Sequence, residues 1–492
     1  MRCHLHYFPT TDWHFSMDHA VSVSPGMDPV LHVWRAACVA WVALLIGCQS
    51  LAPVPDLQPP IPAQWRNAEP SDADRNVARA PDLESWWRAF GDSQLDALVT
   101  QALSENLTIA QAQEHLRSAR ALSRASNAQF KPEAHFGTLT TPDPDATASY
   151  LQVNIDAQWE FGLFGRDGST RRVARAGIDA AAADLQGARV TLVAEVVRDY
   201  LSLRGAQRQT QLLEAIANAA RTRHGLVRRR RELGLAADSE VAHAAADLAQ
   251  ASAALAEPRA RADASAQQLA VLCGQAEPPA TLLAAAPPPA LTADAPATLP
   301  ADLLRTRPDI HHAESAVLAA AGELGIAKAD LYPRLSLLGG ITTSTTTSGG
   351  TFGFGRAVPA FGPMIDMPLF DWGARRARVT AKEAELAAAL DGYRETVLEA
   401  VAETETGLSA WHAQKERANQ LRSMVVARES EARSVASARR HELADGADQA
   451  VTAIALNQAR LELLEAEQAQ ALSYVALYKA LGGAPPFVDA AH

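Results

Sequence analysis

Two long segments of the chain contain no proline, and they constrain the fold more than any other feature. They run from Asp145 to Glu257 and from Leu369 to Ala484. A proline inside a helix costs about 3 kcal/mol and removes a backbone hydrogen bond, so only proline-free segments can form very long helices. Helix-favouring Ala, Leu, Glu, Arg and Gln are abundant in both. We predict long helices over about 167–230 and 374–438, each folding back through a second helix as a hairpin.

The two segments belong to an internal repeat. Phe130-Lys131-Pro132 aligns with Leu331-Tyr332-Pro333, and Leu233 and Asp238 align with Leu443 and Asp448. A proline-rich stretch separates the two copies. The predicted organisation is a first repeat over 85–274, a linker over 275–300, a second repeat over 301–483 and a tail over 484–492.

A stretch between the predicted helices alternates strictly between apolar and polar residues. Its polar positions are Gln152, Asn154, Asp156, Gln158 and Glu160. Period-two alternation is typical of a strand with two unlike faces. Such a strand either packs half-buried on a globular core or crosses a membrane, which takes about 9 to 11 residues.

Three further strands are predicted, over Ala134–Thr140, Leu335–Thr342 and Phe361–Phe370. Four strands cannot close a barrel, and open sheet edges are not tolerated in lipid. If these strands span a membrane, the barrel must be shared between chains.

Residues 1–47 are predicted to be a signal peptide with an upstream extension, and Met1 and Met27 both remain possible starts. The apolar run over 36–46 suits a signal peptide and is too short to span a bilayer. It ends in Leu45-Ile46-Gly47-Cys48, which resembles a bacterial lipobox. We therefore expect Cys48 to be acylated, the alternative being an ordinary signal peptide with an incidental cysteine. Proline-rich residues 48–84 then form a lipid-anchored tether.

Several longer motifs occur in a recognisable order. They are Trp86–Leu98, Phe161–Arg166, Arg307-Pro308-Asp309-Ile310, Gly325–Ala329 and Leu369–Gly373. On these motifs the chain resembles the TolC-like outer-membrane efflux family, specifically its lipoprotein, NodT/OprM-type branch, over about Ser85 to Gly483. The resemblance implies a mainly α fold with a transmembrane β-barrel part. In that fold three chains share a twelve-stranded barrel and a periplasmic α-helical barrel.

The resemblance also implies a function. The chain would be the exit duct of a tripartite efflux pump in the outer membrane of a Gram-negative bacterium, exporting small toxic compounds or drugs. Its partners would be two further copies, outer-membrane lipid, a periplasmic adaptor (a membrane fusion protein) and an inner-membrane pump of the RND type. No enzymatic activity is implied, and no cofactor besides the lipid on Cys48. The alternatives are a type I protein-secretion duct and a lipid-anchored periplasmic coiled-coil adaptor.

Specific residues follow from the same resemblance. The hairpin tips, with Leu233, Gly234, Leu235, Leu443 and Gly446, would dock the adaptor, although the glycines could simply end helices. The polar side of the strand, from Gln152 to Glu160, would face the barrel lumen. The aspartates that narrow the pore in relatives align with Ala455 and Gln458 here. Asp445 and Asp448 are the substitute candidates, the alternative being solvated helix-end charges with Asp448 as an N-cap.

Composition argues against other classes. The chain has 45 basic and 56 acidic residues and a formal net charge of −11, which does not suit a nucleic-acid binder. The basic run Arg228–Arg231 is better explained as a protein-surface or adaptor contact. His311-His312 has no suitably spaced ligand partner, so no metal site is predicted. No catalytic motif is recognisable, which favours a non-enzyme.

Overall fold

The computed structural model describes residues 57, 65–67, 82–141, 150–293, 306–346 and 355–486. All of them belong to one compact unit, Ser50–His492. The predicted signal peptide, Cys48 and most of the tether lie outside the described residues. Within the described ranges, no helix has both the length and the apolar character needed to cross a membrane.

The two repeats have parallel element orders. The first begins with a 3-10 helix, Trp86–Phe90, and continues with α1 (Ser93–Glu105), α2 (Leu107–Ala128), β1 (Glu133–Thr141), β2 (Tyr150–Glu160), α3 (Arg166–Glu232), α4 (Asp238–Ala253), α5 (Ala256–Leu272) and the short α6 (Ala280–Leu283). The second consists of α7 (Pro308–Ala329), β3 (Arg334–Thr346), β4 (Val358–Asp366), α8 (Ala374–Arg440) and α9 (Gly446–Ala480).

The two long helices are confirmed. α3 and α8 each contain 67 residues, which corresponds to roughly 100 Å at 1.5 Å per residue. Each begins directly after a glycine in the left-handed region, Gly165 with φ 80° and Gly373 with φ 84°. Glycine adopts this conformation without steric cost, so the chain can turn sharply from strand into helix.

The helices that return from the tips differ between the repeats. One second helix was predicted after each tip, and for the first repeat this is wrong. The chain breaks between α4 and α5, and Pro258 lies in the first turn of α5. The proline ring has no N–H and would clash with the Ala254 carbonyl in a continuous helix. In the second repeat α9 runs unbroken for 35 residues.

The four strands form one antiparallel sheet in the order β1-β2-β3-β4. β3 extends to Thr346 rather than Thr342, because β-branched threonines suit a strand and pair with the start of β2. β4 spans Val358–Asp366 rather than Phe361–Phe370. Its last residue already pairs with the first residue of β3, Arg334, so among the described residues no strand pairs with those that follow.

Helix α3 lies at the centre of the helical part and packs against α1, α2, α4, α5, α7 and α9. Beside it, Trp86 stacks on Tyr478 at 5.4 Å between ring centroids, and its indole Nε1 donates to the Gly483 carbonyl at 3.0 Å. Since Trp86 begins the first repeat and Tyr478 ends the second, this buried aromatic contact joins the two repeats.

Candidate functional site

The sheet has one apolar face that is exposed in the single chain. Phe361 is 88% exposed and Phe136 is 71% exposed. The register places these side chains on the same face as several other exposed apolar residues, namely Ile155, Leu337, Ile341 and Ile365. Large apolar patches on a protein surface mark a contact with another protein or with lipid.

The opposite face carries the predicted polar positions. Gln152, Asn154, Asp156, Gln158 and Glu160 alternate with the apolar residues of β2 and therefore share one side of the sheet. Asn154 donates a hydrogen bond to the Asp156 carboxylate, and His135 lies opposite Asp156 on β1. That this face lines a lumen stays a prediction.

Glu160 is engaged at the corner between β2 and α3. Its carboxylate lies 3.3 Å from Arg166 Nε, and Arg166 also pairs with Asp330. Asp330 accepts a second hydrogen bond from Arg334 at 2.7 Å. Partial burial opposes ionisation of Asp330, but the two arginines outweigh it and lower the pKa of this carboxyl. No sequence pattern indicated this network, although Arg166 is the last residue of the motif Phe161–Arg166.

The first hairpin tip has the predicted glycine turn. Gly234 has φ 77°, and the Leu235 amide donates to the Arg230 carbonyl at 2.7 Å. Leu233 is 74% exposed, and Leu235 is similarly exposed. Arg231 forms a bidentate pair with Asp238 at 2.6 and 3.2 Å across the turn. The tip therefore presents two leucines to solvent on a closed turn, and docking of an adaptor there stays a prediction.

The second tip is built differently. Leu443 is 82% exposed, but Glu442, with φ 61°, takes the left-handed position. Gly446 instead begins α9, and a Cβ at this position would lie 3.0 Å from the Leu226 side chain of α3. This glycine therefore allows close approach of the first hairpin of the same chain.

The candidate aspartates at the second tip cap a helix. The N-cap is Asp445 rather than Asp448, because the Asp445 carboxylate accepts from the Asp448 amide at 2.9 Å. Asp448 completes the capping box by accepting from the Asp445 amide at 3.0 Å. Arg230 lies 3.4 Å from Asp445 and links the two tips. The Asp448 amide is the main cause that lowers the pKa of Asp445.

We expect Asp445→Ala to destabilise the protein by about 1 kcal/mol at neutral pH, the usual cost of losing an N-cap. Because the pKa of Asp445 is lowered on folding, its contribution is present at neutral pH and is lost as the pH falls through that lowered pKa. Thermal unfolding followed by far-ultraviolet circular dichroism measures both effects. Asp391→Ala, which removes only an exposed ion pair to Arg394, is the control and should have almost no effect. Equal shifts for the two variants would contradict the capping role.

Ala455 and Gln458, the two positions at which the resemblance implied pore-narrowing aspartates, line a cleft of about 450 Å³ between α3, α4 and α9. Most of the other lining residues are apolar or small. The neutral side chains at these two positions cannot supply a ring of negative charge.

Residues 98–275 and 299–483 match the family described as "Outer membrane efflux protein". The chain belongs to this family. It is 28% identical to "Nodulation protein T" of Rhizobium leguminosarum bv. viciae, over 77% of this chain and 79% of that protein. It is 27% identical to "Toluene efflux pump outer membrane protein TtgC" of Pseudomonas putida, over 90% of this chain and 94% of that protein. The solved outer-membrane channel OprN is 30% identical, with a TM-score of 0.75 over 88% of this chain and all of that one.

Family membership establishes the general class of this protein. It is an outer-membrane efflux protein of a Gram-negative bacterium that reaches into the periplasm, and it is a transport duct without enzymatic activity. The predicted family, location and non-enzymatic character are confirmed. The mainly helical fold with one small sheet is that of TolC-like channels.

Proposed function

We propose that three copies of this chain close a twelve-stranded transmembrane barrel and act as the exit duct of a tripartite efflux pump. The observation that carries this proposal is the sheet. One face is apolar and exposed, and within the described residues β1 and β4 each pair with one strand only. In hydrocarbon every unpaired backbone group costs several kcal/mol, so both edges need strands from other copies. Three sheets of four strands give an even number, as in bacterial outer-membrane barrels.

The polar face of the sheet would then line the lumen. Glu160 is paired with Arg166, so Asp156 supplies the less compensated charge on this face of β2. A polar, partly acidic lining favours water and cations over free anions. The duct would pass small toxic compounds selected by the pump, and the name of the toluene-pump relative supports this class of cargo.

The helices would form the periplasmic part of the duct and the docking end. α3 and α8 are each roughly 100 Å long, enough to reach far from the membrane. At their far ends Leu233, Leu235 and Leu443 are exposed. These leucines would contact the apolar surface of a periplasmic adaptor, which joins the duct to an inner-membrane pump of the RND type.

Acylation of Cys48 would anchor each copy in outer-membrane lipid. We expect Cys48→Ala to lose the acyl mass completely, measured by mass spectrometry of the purified protein. Cys273→Ala should keep it, because Cys273 is buried and its thiol contacts the Leu98 carbonyl. Membrane fractionation with boiled and unboiled gels should show a heat-sensitive trimer in the outer membrane for the wild type. A soluble monomer without lipid would contradict both the anchor and the shared barrel.

A further inference from the structure

The corner between β4 and α8, Leu369–Gly373, leaves large apolar side chains uncovered. Trp372 is 90% exposed, Leu369 is 86% exposed and Phe370 is also exposed. Phe370 and Trp372 contact each other edge to face, with ring centroids 4.7 Å apart. An exposed aromatic cluster next to an open sheet edge indicates that another molecule covers it.

The equivalent corner of the first repeat, Phe161–Gly165, is covered by its own chain. Phe164 stacks on Tyr332 with ring centroids 4.9 Å apart, and the Phe161 amide donates to the Leu335 carbonyl at 3.1 Å. Both corners end in the same turn, since Phe164 and Trp372 both have φ 56° and both precede a left-handed glycine that caps a long helix.

The internal repeat identifies what should cover the second corner. Tyr332 lies in the turn between α7 and β3, and its counterpart between α2 and β1 is Lys131. β1 and β4 are at opposite edges of the sheet. The second corner therefore follows one edge while its expected partner turn precedes the other. A second copy of the chain brings the two together.

We propose that the corner Leu369–Gly373 of one copy packs on the turn before β1 of the next copy, with the Trp372 ring over Lys131. This proposal rests on the shared barrel proposed above and deepens it by naming the contact between copies. The occupant is a second copy because the same contact already exists between the two repeats of one chain.

The strand register supports this geometry. Transferring the β2–β3 pairing to β4 and the next copy's β1 places Leu369 opposite Ala134 and Ile365 opposite Thr138. Ile365 and Thr138 both lie on the apolar face of their strands. A slip of one residue would place apolar side chains of β4 beside polar side chains of the next copy's β1. The transferred register avoids this, because it keeps the two apolar faces together.

The proposed contact at the second corner differs in its chemistry from the observed contact at the first corner. Arg166 and Asp330, which form an ion pair at the first corner, align with Ala374 and Gln129. Pro359 and Pro363 have no N–H, so β4 offers fewer ladder donors than β2. An indole over a lysine ammonium is a favourable cation–π contact, and it would replace the missing ion pair.

Cross-linking tests the contact directly. In a Cys273→Ala background, the double variant Lys131→Cys/Trp372→Cys is treated in outer membranes with a short bismaleimide and analysed on boiled gels. We expect most of the protein to migrate as covalent two-chain and three-chain species. The matched control Phe164→Cys/Tyr332→Cys should cross-link within one chain and stay at the single-chain position, as should each single variant.

A second measurement does not depend on the cysteine variants assembling. On unboiled gels, Lys131→Glu should lower the temperature at which the trimer dissociates, whereas Lys131→Arg should keep it, because arginine preserves the cation–π contact. Trp372→Ala should lower it as well.

The outcomes separate the two proposals. The corner contact would be overturned, and the shared barrel left, if the wild type forms a trimer while the double cysteine variant gives no inter-chain cross-links and Lys131→Glu is as stable as Lys131→Arg. A second result would also overturn the contact, namely no inter-chain cross-links together with a lower dissociation temperature for Trp372→Ala alone. That result would place the indole in lipid. Absence of any trimer in the wild type would overturn the shared barrel itself.

Discussion

Replacing Ile155 by arginine should strongly reduce the amount of protein that assembles in the outer membrane. Ile155 lies at the middle of β2, on the apolar face, opposite Phe136 on β1 and Ile341 on β3. An arginine on the lipid side of a barrel costs about 2–4 kcal/mol at the bilayer midplane, and the cost would apply to each copy. The heat-sensitive trimer on unboiled gels of the outer-membrane fraction measures the effect.

Gln152→Arg is the matched control, since it introduces the same side chain on the polar face of the same strand. There the guanidinium would reach water in the lumen, so assembly should be nearly unchanged. A loss for Gln152→Arg with normal assembly of Ile155→Arg would reverse the assignment of the two faces. Equal, normal assembly of both would contradict a membrane position for the sheet.

The long elements were predictable because their determinants are local. The absence of proline over more than a hundred residues has few structural explanations besides long helix, and the bounds of α3 and α8 agree closely with the prediction. The alternation from Leu151 to Glu160 likewise predicted β2. Both signals depend on residues close together in the chain, which a sequence displays directly.

The details that the sequence did not reveal depend on distant contacts. Arg166, Asp330 and Arg334 meet only because the corner after β2 packs on the turn before β3. Gly446 was expected at the tip, and the sequence did not show that a Cβ there would meet Leu226 on another helix.

The candidate site also contains features that the local sequence predicts and features that it does not. Sequence placed Leu233, Leu235 and Leu443 at the tips correctly, because a hairpin tip follows from where two helices end. It could not show that Asp445 rather than Asp448 is the N-cap, since the two lie three residues apart and either could begin the helix. Which groups would face the lumen of the proposed shared barrel depends on neighbouring copies.

Arg307 joins three helices of the second repeat at one buried point. Its guanidinium forms a bidentate pair with Asp309 at 2.7 and 3.0 Å, and it donates to Glu403 on α8 at 2.8 Å. It also donates to the Ala480 carbonyl at the end of α9. The Arg307 side chain is 9% exposed, whereas both carboxylates are about half exposed. Burial opposes the charge, but the two carboxylates outweigh it and raise the pKa of Arg307.

We expect Arg307→Ala to lower the free energy of unfolding by about 3 kcal/mol. This is the lower end for breaking a buried ion pair, because water can still solvate the two carboxylates. Arg307→Lys should recover only part of the loss, since an ammonium cannot donate two parallel hydrogen bonds to Asp309. Arg394→Ala, which breaks an exposed pair to Asp391, should cost about 0.5 kcal/mol or less. Thermal unfolding followed by circular dichroism in detergent measures all three variants.

The pH dependence of this loss distinguishes an ion pair from simple packing. Arg307 outweighs the effect of burial and lowers the pKa of Asp309 in the folded chain. The stabilisation by the pair is therefore fully present above the unfolded pKa of Asp309, and it is lost as the pH falls through the lowered, folded pKa. The difference between the wild type and Arg307→Ala should thus shrink in acid. A difference that stays constant from neutral to acidic pH would mean that Arg307 stabilises the three helices by packing and by its bond to Ala480 alone.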